Sequence, residues 1–149
     1  MTVKQITPPQ AQEILEKDST VLYLDVRTVP EFTAGHPQKA INVPVIFFDQ
    51  ARQPAPNPDF LAVVEANIAK DAQIIVGCQA GMRSQRAAEI LTQAGYTTVS
   101  NMQGGFGGAR DQTGRVVTPG WHESGLPVST DNGEGVSYTS LAAKAGVKA

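Results

Sequence analysis

The chain has 149 residues, of which 41% are hydrophobic and 17% are charged, and its formal net charge is -2. This length suits one compact domain with a real core and is too short for two domains of ordinary size. The balanced charge argues against a broad basic surface, so we expect no nucleic-acid partner.

The single cysteine and the N-terminal sequence bear on location. One cysteine cannot close an intramolecular disulfide, which favours a reducing compartment. The first ten residues lack the basic end and the apolar run of a secretory signal, and no apolar stretch is long enough to span a bilayer. We therefore predict a cytoplasmic protein without a membrane partner.

The first predicted helix begins after Thr7. Thr7 suits the N-cap, Pro8 and Pro9 suit a first turn that needs no N–H donors, and Gln10 stands at the capping-box position. The helix is expected to end near Lys17.

A nearly continuous apolar run over 20–26, TVLYLDV, predicts a strand that is buried on both faces. Its end carries Asp25 and Arg27, so both are expected at the mouth of the strand. A helical turn near Glu31, a break at Gly35 and a second strand over about 39–43 follow.

The stretch FDQARQPAPNPD, residues 48–59, is rich in proline and polar residues and predicts an extended surface loop. The next segment has helical apolar spacing and predicts a helix capped by Asp59. A third strand over 72–78, a helix stopped by Gly95 and a fourth strand over 97–102 complete the pattern.

Alternating buried strands and helices predict the fold class. Such a pattern is typical of an open α/β sheet with parallel strands, right-handed crossovers and helices on both faces. Ligands of these sheets bind at the carboxyl ends of the strands.

The C-terminal third is less regular. Residues 103–121 contain six glycines and predict a long ordered loop. Beyond Val128, STDNGEGVSYTS at 129–140 is too polar to build core, and LAAKAGVKA at 141–149 could make a weak short helix. We therefore divide the chain into a domain over 1–128 and a polar C-terminal tail over 129–149, which could pack on its own domain, pack on a neighbouring subunit or move freely. Deleting the tail is expected to leave activity largely intact.

The only cysteine, Cys78, stands where the third strand ends. A free cysteine is often a small buried hydrophobe, but this position argues for chemistry. A loop such as CQAGMRS, residues 78–84, can converge its backbone N–H groups on one point at a helix start. The loop would favour the thiolate, with Gly81 giving backbone freedom and Arg83 a positive charge for an anionic substrate group.

This loop resembles the active-site loop of rhodaneses, which are sulfurtransferases, in the Cys-x-x-Gly-x-Arg-Ser form common in single-domain members. The stretch YLDVRTVPEFTAGHPQKAINVP at 23–44 is similar to an earlier block of that family, and MQGGF, GW and SGLPV are similar to its closing segment. The likeness covers roughly residues 3–128, and several ordered blocks are far more specific than one loop. It implies the rhodanese-like fold, an open, mostly parallel sheet flanked by helices on both faces.

The resemblance also implies a double-displacement reaction. Cys78 would take the outer sulfur of thiosulfate or a persulfide, hold it as a cysteine persulfide, and pass it to cyanide or a thiol, with no metal or cofactor. A sulfur-donor or sulfur-acceptor protein is a possible partner. The loop residues expected to form the site and bind substrate are Gln79, Ala80, Gly81, Met82, Arg83 and Ser84.

The resemblance gives roles to three charged residues. Arg83 is expected to bind the sulfonate end of thiosulfate, and Asp25 and Arg27 to brace the loop by hydrogen bonds and ion pairing. For Arg27 a solvated surface position is equally compatible with the sequence. Arg86, one turn into the helix, is expected at the surface.

Neither histidine is expected to act in catalysis. His36 falls in the family's Gly-His turn and is expected to be structural, since a loop-stabilised thiolate needs no base. His122 lacks metal-ligand spacing and is expected to be a surface or packing residue.

Two stretches depart from the family pattern. Members commonly have Ile-Pro-Gly after Gly-His, whereas this chain has Pro37, Gln38 and Lys39, so that turn is expected to differ in shape. The stretch 106–121 is longer than in the shortest members. It could form a flap near the loop and bring Arg110 or Arg115 to the substrate.

Two other functions compete. Phosphatases or arsenate reductases of the cell-cycle phosphatase type share the architecture but place five residues between cysteine and arginine, whereas Cys78 and Arg83 have four between them, which favours sulfur. A sulfur-relay or protein-interaction module would take sulfur from a partner protein, and thiosulfate would then be a poor substrate.

Overall fold

The structure, a computed structural model, describes residues 3–149 and contains a central sheet between two helical layers. The first two residues of the predicted domain lie outside the described residues. The helices are α1 (Pro8–Lys17), α2 (Val29–Ala34), α3 (Phe60–Asn67), α4 (Met82–Gln93) and α5 (Tyr138–Lys144). The strands are β1 (Lys4–Ile6), β2 (Leu22–Asp25), β3 (His36–Pro37), β4 (Ala40–Asn42), β5 (Ile46–Phe48), β6 (Pro54–Pro56), β7 (Gln73–Gly77), β8 (Thr98–Met102), β9 (Ala109–Arg110), β10 (Val116–Thr118) and β11 (Val128–Ser129).

The central sheet has the order β1-β8-β7-β2-β4, and all its neighbouring strands are parallel. Successive residues of β7 point to opposite faces, so Ile74 and Val76 pack with α3, α4 and α5 while Ile75 packs with α1 and α2. Apolar side chains are therefore needed on both faces of the strands. The predicted fold class, a parallel α/β sheet covered on both faces, is confirmed.

The predicted first helix, with Thr7 as its N-cap and its end near Lys17, is confirmed as α1. The Gln10 amide donates to Thr7 Oγ1 over 3.3 Å, and the Thr7 amide donates to Gln10 Oε1 over 2.9 Å, which completes the predicted capping box. Asp59 does precede α3, but its side chain makes no capping bond. Instead its own amide donates to Asn57 Oδ1 over 3.0 Å.

Several short strands lie in segments for which the sequence predicted a loop or no regular structure. β1 adds a short edge strand, and residues 48–59, expected to be an extended loop, contribute to the antiparallel hairpin of β5 and β6. The glycine-rich stretch 103–121 contains the antiparallel pair β9 and β10. Each strand has only two or three residues, which is too short for an alternating pattern to show in the sequence.

The turn that departs from the family pattern contains a left-handed residue. Lys39 has φ of 76°, at the position where family members commonly have glycine. A side chain in this conformation costs about 1 kcal/mol relative to glycine. The preceding strand, β3, pairs with β11.

The C-terminal segment contributes to the core, contrary to the expectation from its polar composition. Tyr138, Leu141 and Ala142 of α5 are buried in the cluster that also contains α3 and α4. Asn57 Nδ2 donates to Tyr138 Oη over 3.1 Å, and Asn67 Nδ2 donates to the Leu141 carbonyl over 2.9 Å. Of the three alternatives for residues 129–149, the structure therefore shows packing on their own domain.

Deleting residues 138–149 is expected to destabilise the protein, which reverses the expectation from composition. Losing the buried side chains of α5 lowers the free energy of unfolding by about 5 kcal/mol, because their apolar surface is no longer buried. This change corresponds to a fall in Tm of roughly 10–20 °C. Thermal unfolding monitored by circular dichroism measures the effect. Deleting only residues 148–149 is the control, and an unchanged Tm in the longer deletion would show that α5 does not stabilise the fold.

Candidate active site

Cys78 lies at the carboxyl end of β7, directly before a loop that leads into α4. Its exposed fraction is 2%, so the sulfur forms the floor of the loop. Gly81 precedes α4 with φ of 112°, a conformation that favours glycine, as predicted from the sequence. The strand end, the turn and the helix start therefore bring one thiol to the edge of the sheet where ligands of this fold class bind.

Two polar groups contact the sulfur. The Gly81 amide donates to Cys78 Sγ over 3.1 Å, and Ser84 Oγ lies 3.3 Å from the same atom. Both belong to the start of α4, where the helix dipole favours negative charge. The geometry therefore suits a negatively charged atom at the position of the sulfur. Within residues 3–149 no group of three or more acidic, histidine or cysteine side chains could hold a metal ion.

Asn101 fixes the Ser84 hydroxyl and was missed by sequence reasoning. Ser84 Oγ donates to Asn101 Oδ1 over 2.5 Å, and Asn101, on β8, is 4% exposed. Because a hydroxyl has one hydrogen, Asn101 Oδ1, Cys78 Sγ and the Gly81 carbonyl oxygen at 3.2 Å compete for it. No local pattern signals this contact, since Ser84 on α4 and Asn101 on β8 meet only where the helix packs on the sheet.

The glycine-rich segment after β8 braces the main chain of the loop. The Phe106 amide donates to the Cys78 carbonyl over 2.7 Å, and the Gly107 amide donates to the Gln79 carbonyl over 2.9 Å. Gly105 has φ of 59°, and a Cβ there would lie 2.5 Å from the Cys78 carbonyl oxygen. Gly105 of the closing motif MQGGF therefore cannot carry a side chain unless the backbone of the loop moves.

Asp25 and Arg27 form a buried ion pair beneath the loop. Arg27 Nη2 lies 2.8 Å from Asp25 Oδ2, and the side chains are 3% and 1% exposed. Arg27 also donates to Gln79 Oε1 over 3.1 Å and to the Gly35 carbonyl over 2.7 Å, and its guanidinium carbon lies 4.6 Å from the centre of the Phe106 ring. The alternative of a solvated surface position for Arg27 is therefore wrong. Arg27 links Asp25, the Gly35 carbonyl and the Gln79 side chain of the loop.

Arg83 lies in an ion pair that the sequence did not predict. Its Nη1 and Nη2 donate to the two carboxylate oxygens of Glu31 over 2.8 and 3.0 Å. Glu31 Oε1 also accepts from the Thr28 amide at the start of α2. Partial burial raises the pKa of Glu31, but the bonds and charge of Arg83 and the bonds from Thr28 outweigh it and lower the pKa from its ordinary 4.5 to about 2. The stability that this lowered pKa contributes is present above pH 4.5 and is lost as the pH falls towards 2.

The remaining residues of the loop line open clefts. Gln79 and Ala80 border a cleft of about 620 Å³ with Phe106, His122 and Arg110, and Arg110 Nη2 lies 3.8 Å from Glu123 Oε2 in the same cleft. Met82 is 85% exposed.

Three other residues take the surface or structural positions expected of them. Arg86 and His122 are exposed. His36 is buried, stacks on Phe32 at 3.6 Å between ring centroids, and its Nδ1 lies 2.8 Å from the Phe32 carbonyl. Arg115, which the sequence suggested for substrate binding, is also exposed, and its amide donates to Asp111.

The comparisons with known proteins agree on one family. A model described as a rhodanese-like domain matches residues 7–111. Thiosulfate sulfurtransferase 16, chloroplastic, of Arabidopsis thaliana is 41% identical over 105 residues, which cover 70% of this chain and 77% of that protein. Protein HIGH ARSENIC CONTENT 1, mitochondrial, of the same plant is 46% identical over 85 residues, which cover 56% of this chain and 49% of that protein.

A solved structure extends the likeness to most of the chain. The crystal structure of Rv0390 from M. tuberculosis superposes with a TM-score of 0.72 at 30% identity and covers 88% of this chain and 100% of that one. The chain spans about half the length of the first curated relatives that it matches. None of the described helices is long and apolar enough to cross a membrane.

Proposed function

Because the chain belongs to the rhodanese-like domain family, we propose that it is a sulfurtransferase in which Cys78 carries a sulfur atom as a persulfide. The observation that carries the proposal is the position of Cys78 Sγ beside the start of α4. The sulfur lies 3.1 Å from the Gly81 amide nitrogen and 3.3 Å from Ser84 Oγ. Relatives named as sulfurtransferases support the same class of reaction.

In the first half-reaction the Cys78 thiolate attacks the outer sulfur of the donor. A new S–S bond forms to Sγ while the donor's own S–S bond breaks, and its electron pair leaves as sulfite from thiosulfate or as a thiolate from a persulfide. The Gly81 amide and the positive end of α4 stabilise the anion that stays on the enzyme.

In the second half-reaction the acceptor removes the outer sulfur. Cyanide or a thiol attacks it, the S–S bond to Cys78 breaks, and Sγ regains the electron pair as a thiolate. No net oxidation occurs, so no cofactor is required. The main-chain brace from Phe106 and Gly107 holds the loop in one shape through both steps.

Both substrates are proposals. The donor is thiosulfate or a persulfide, small or protein-bound, and the acceptor is cyanide or a thiol. A sulfur relay between proteins is the same chemistry with macromolecular partners. A reducing compartment, such as the cytoplasm predicted from the sequence, would keep the thiol ready to react.

Intact-mass spectrometry tests the proposal. The purified protein is treated with thiosulfate or with glutathione persulfide, without acceptor, and then with cyanide. We expect the mass of one sulfur atom to be added and then removed. If neither donor adds sulfur, the proposed function is wrong.

A second candidate function is arsenate or phosphate chemistry, because one relative is named for high arsenic content. The four residues between Cys78 and Arg83 argue against it, since the related phosphatases place five there. Arsenite formation from arsenate with glutathione as reductant, or hydrolysis of p-nitrophenyl phosphate, would support this candidate.

A further inference from the structure

The ion pair between Arg83 and Glu31 places a fixed carboxylate beside the loop. Both terminal nitrogens of Arg83 bind it, and the side chains are 21% and 30% exposed. Thr28 holds the carboxylate from the other side, with Oγ1 donating to Glu31 Oε1 over 2.9 Å. Glu31 is thereby fixed at the start of α2.

This pair changes the charge available to a substrate. Arg27, the other arginine that contacts the loop, is paired in the same way with Asp25. Each of these two positive charges is therefore matched by a carboxylate. A dianion that approaches Cys78 meets much less positive potential than the two arginines alone would provide.

Thiosulfate and organic persulfides differ in what they need from such a site. Thiosulfate brings two negative charges and leaves as the sulfite dianion, which an unpaired arginine would stabilise. A persulfide brings one negative charge at its reacting end and leaves as a thiolate. Neutralising Arg83 therefore disfavours thiosulfate more than it disfavours a persulfide.

A cleft next to Glu31 suits the organic part of a persulfide. It has a volume of about 750 Å³. Its apolar walls are Val29, Pro30, Phe47 and Phe48, and its polar lining is Thr28, Glu31 and Arg52. The Phe48 ring centre lies 5.9 Å from the Arg83 guanidinium carbon, so the cleft adjoins the loop. Thiosulfate has no apolar group to place there.

We propose that Glu31 is a positioning residue that sets donor preference: by holding and neutralising Arg83, it makes this chain prefer organic persulfides to thiosulfate. The proposal rests on the proposed sulfurtransferase function and names its donor class. Glu31 acts through Arg83 and does not contact the reacting sulfur.

The test compares Glu31→Gln with the wild type. Glutamine keeps the capping box with Thr28 but removes the charge, so α2 is preserved while Arg83 is released. In steady-state thiosulfate:cyanide assays we expect kcat/KM for thiosulfate, which reports the first half-reaction, to rise about tenfold, the order expected for one released charged donor, while kcat/KM for cyanide stays unchanged. The single-turnover rate of Cys78 persulfidation by benzyl persulfide, which carries one negative charge and an apolar group, is expected to stay within about twofold.

Two further variants isolate the mechanism. Glu13→Gln removes the same charge from an exposed pair with Lys17 and is expected to leave both donors unaffected. In the double variant Glu31→Gln with Arg83→Met, the improved kinetics with thiosulfate are expected to vanish, because this variant lacks the guanidinium that Glu31→Gln releases.

The outcomes separate the donor preference from the reaction itself. If Cys78 is persulfidated but Glu31→Gln leaves kcat/KM for thiosulfate unchanged, or changes the rates with both donors equally, the role of Glu31 is wrong and the sulfurtransferase function stands. If neither donor adds sulfur to the wild-type protein, the proposed function fails and this proposal fails with it.

Discussion

Replacing Cys78 by serine is expected to lower thiosulfate or persulfide turnover by about a thousandfold or more, because a neutral hydroxyl is a poor nucleophile and cannot carry a persulfide. Serine is nearly isosteric with cysteine and meets the same two polar partners, the Gly81 amide and Ser84 Oγ. The variant should therefore fold, and circular dichroism and thermal unfolding verify this.

The single cysteine supplies an internal control for that experiment. Iodoacetamide should add one group to the wild type and none to Cys78→Ser, so labelling and turnover report on the same atom. After thiosulfate treatment the label should instead be added to the outer sulfur of the persulfide, so the adduct should be heavier by one sulfur atom and should be released by dithiothreitol. A folded serine variant that still transfers sulfur would remove Cys78 from the mechanism.

Replacing Arg27 by methionine is expected to cost about 3–5 kcal/mol of folding stability, because it leaves the Asp25 carboxylate buried without its partner. Tm should fall by roughly 10 °C. The loop also loses the contact from Arg27 to Gln79, so turnover should fall even at temperatures where the variant is folded. Thermal unfolding and steady-state kinetics measure the two effects.

A second variant separates stability from bracing. In Asp25→Leu with Arg27→Met both charges are replaced by apolar groups, so much of the lost stability should return while turnover stays low. Lys17→Met breaks an exposed ion pair and is the control, with an expected change below about 1 kcal/mol. If Arg27→Met unfolds at the wild-type temperature, the buried pair does not stabilise the fold.

Sequence reasoning succeeded where one short segment contains the whole signal. The capping box at Thr7 and the apolar strand before Cys78 are local patterns, and the structure has both. The left-handed conformation of Gly81 was likewise predictable, because a strand must turn sharply there to enter a helix.

Contacts between distant segments could not be read in the same way. Glu31 and Arg83 are 52 positions apart, and nothing in either segment identifies the other as its partner. The burial of Arg27 depends on how distant strands and loops pack around it. In α5, Tyr138 and Leu141 were hidden by polar neighbours, because seven residues give too few turns for an amphipathic pattern.

The brace on the active-site loop also bears on how this protein can change. The bonds from Phe106 and Gly107 reach main-chain carbonyls, which every amino acid possesses. The shape of the loop is therefore largely independent of the side chains at Ala80 and Met82, which are free to diversify. Variation or directed evolution at these two positions can alter which molecules reach the sulfur while the reacting atom stays in place.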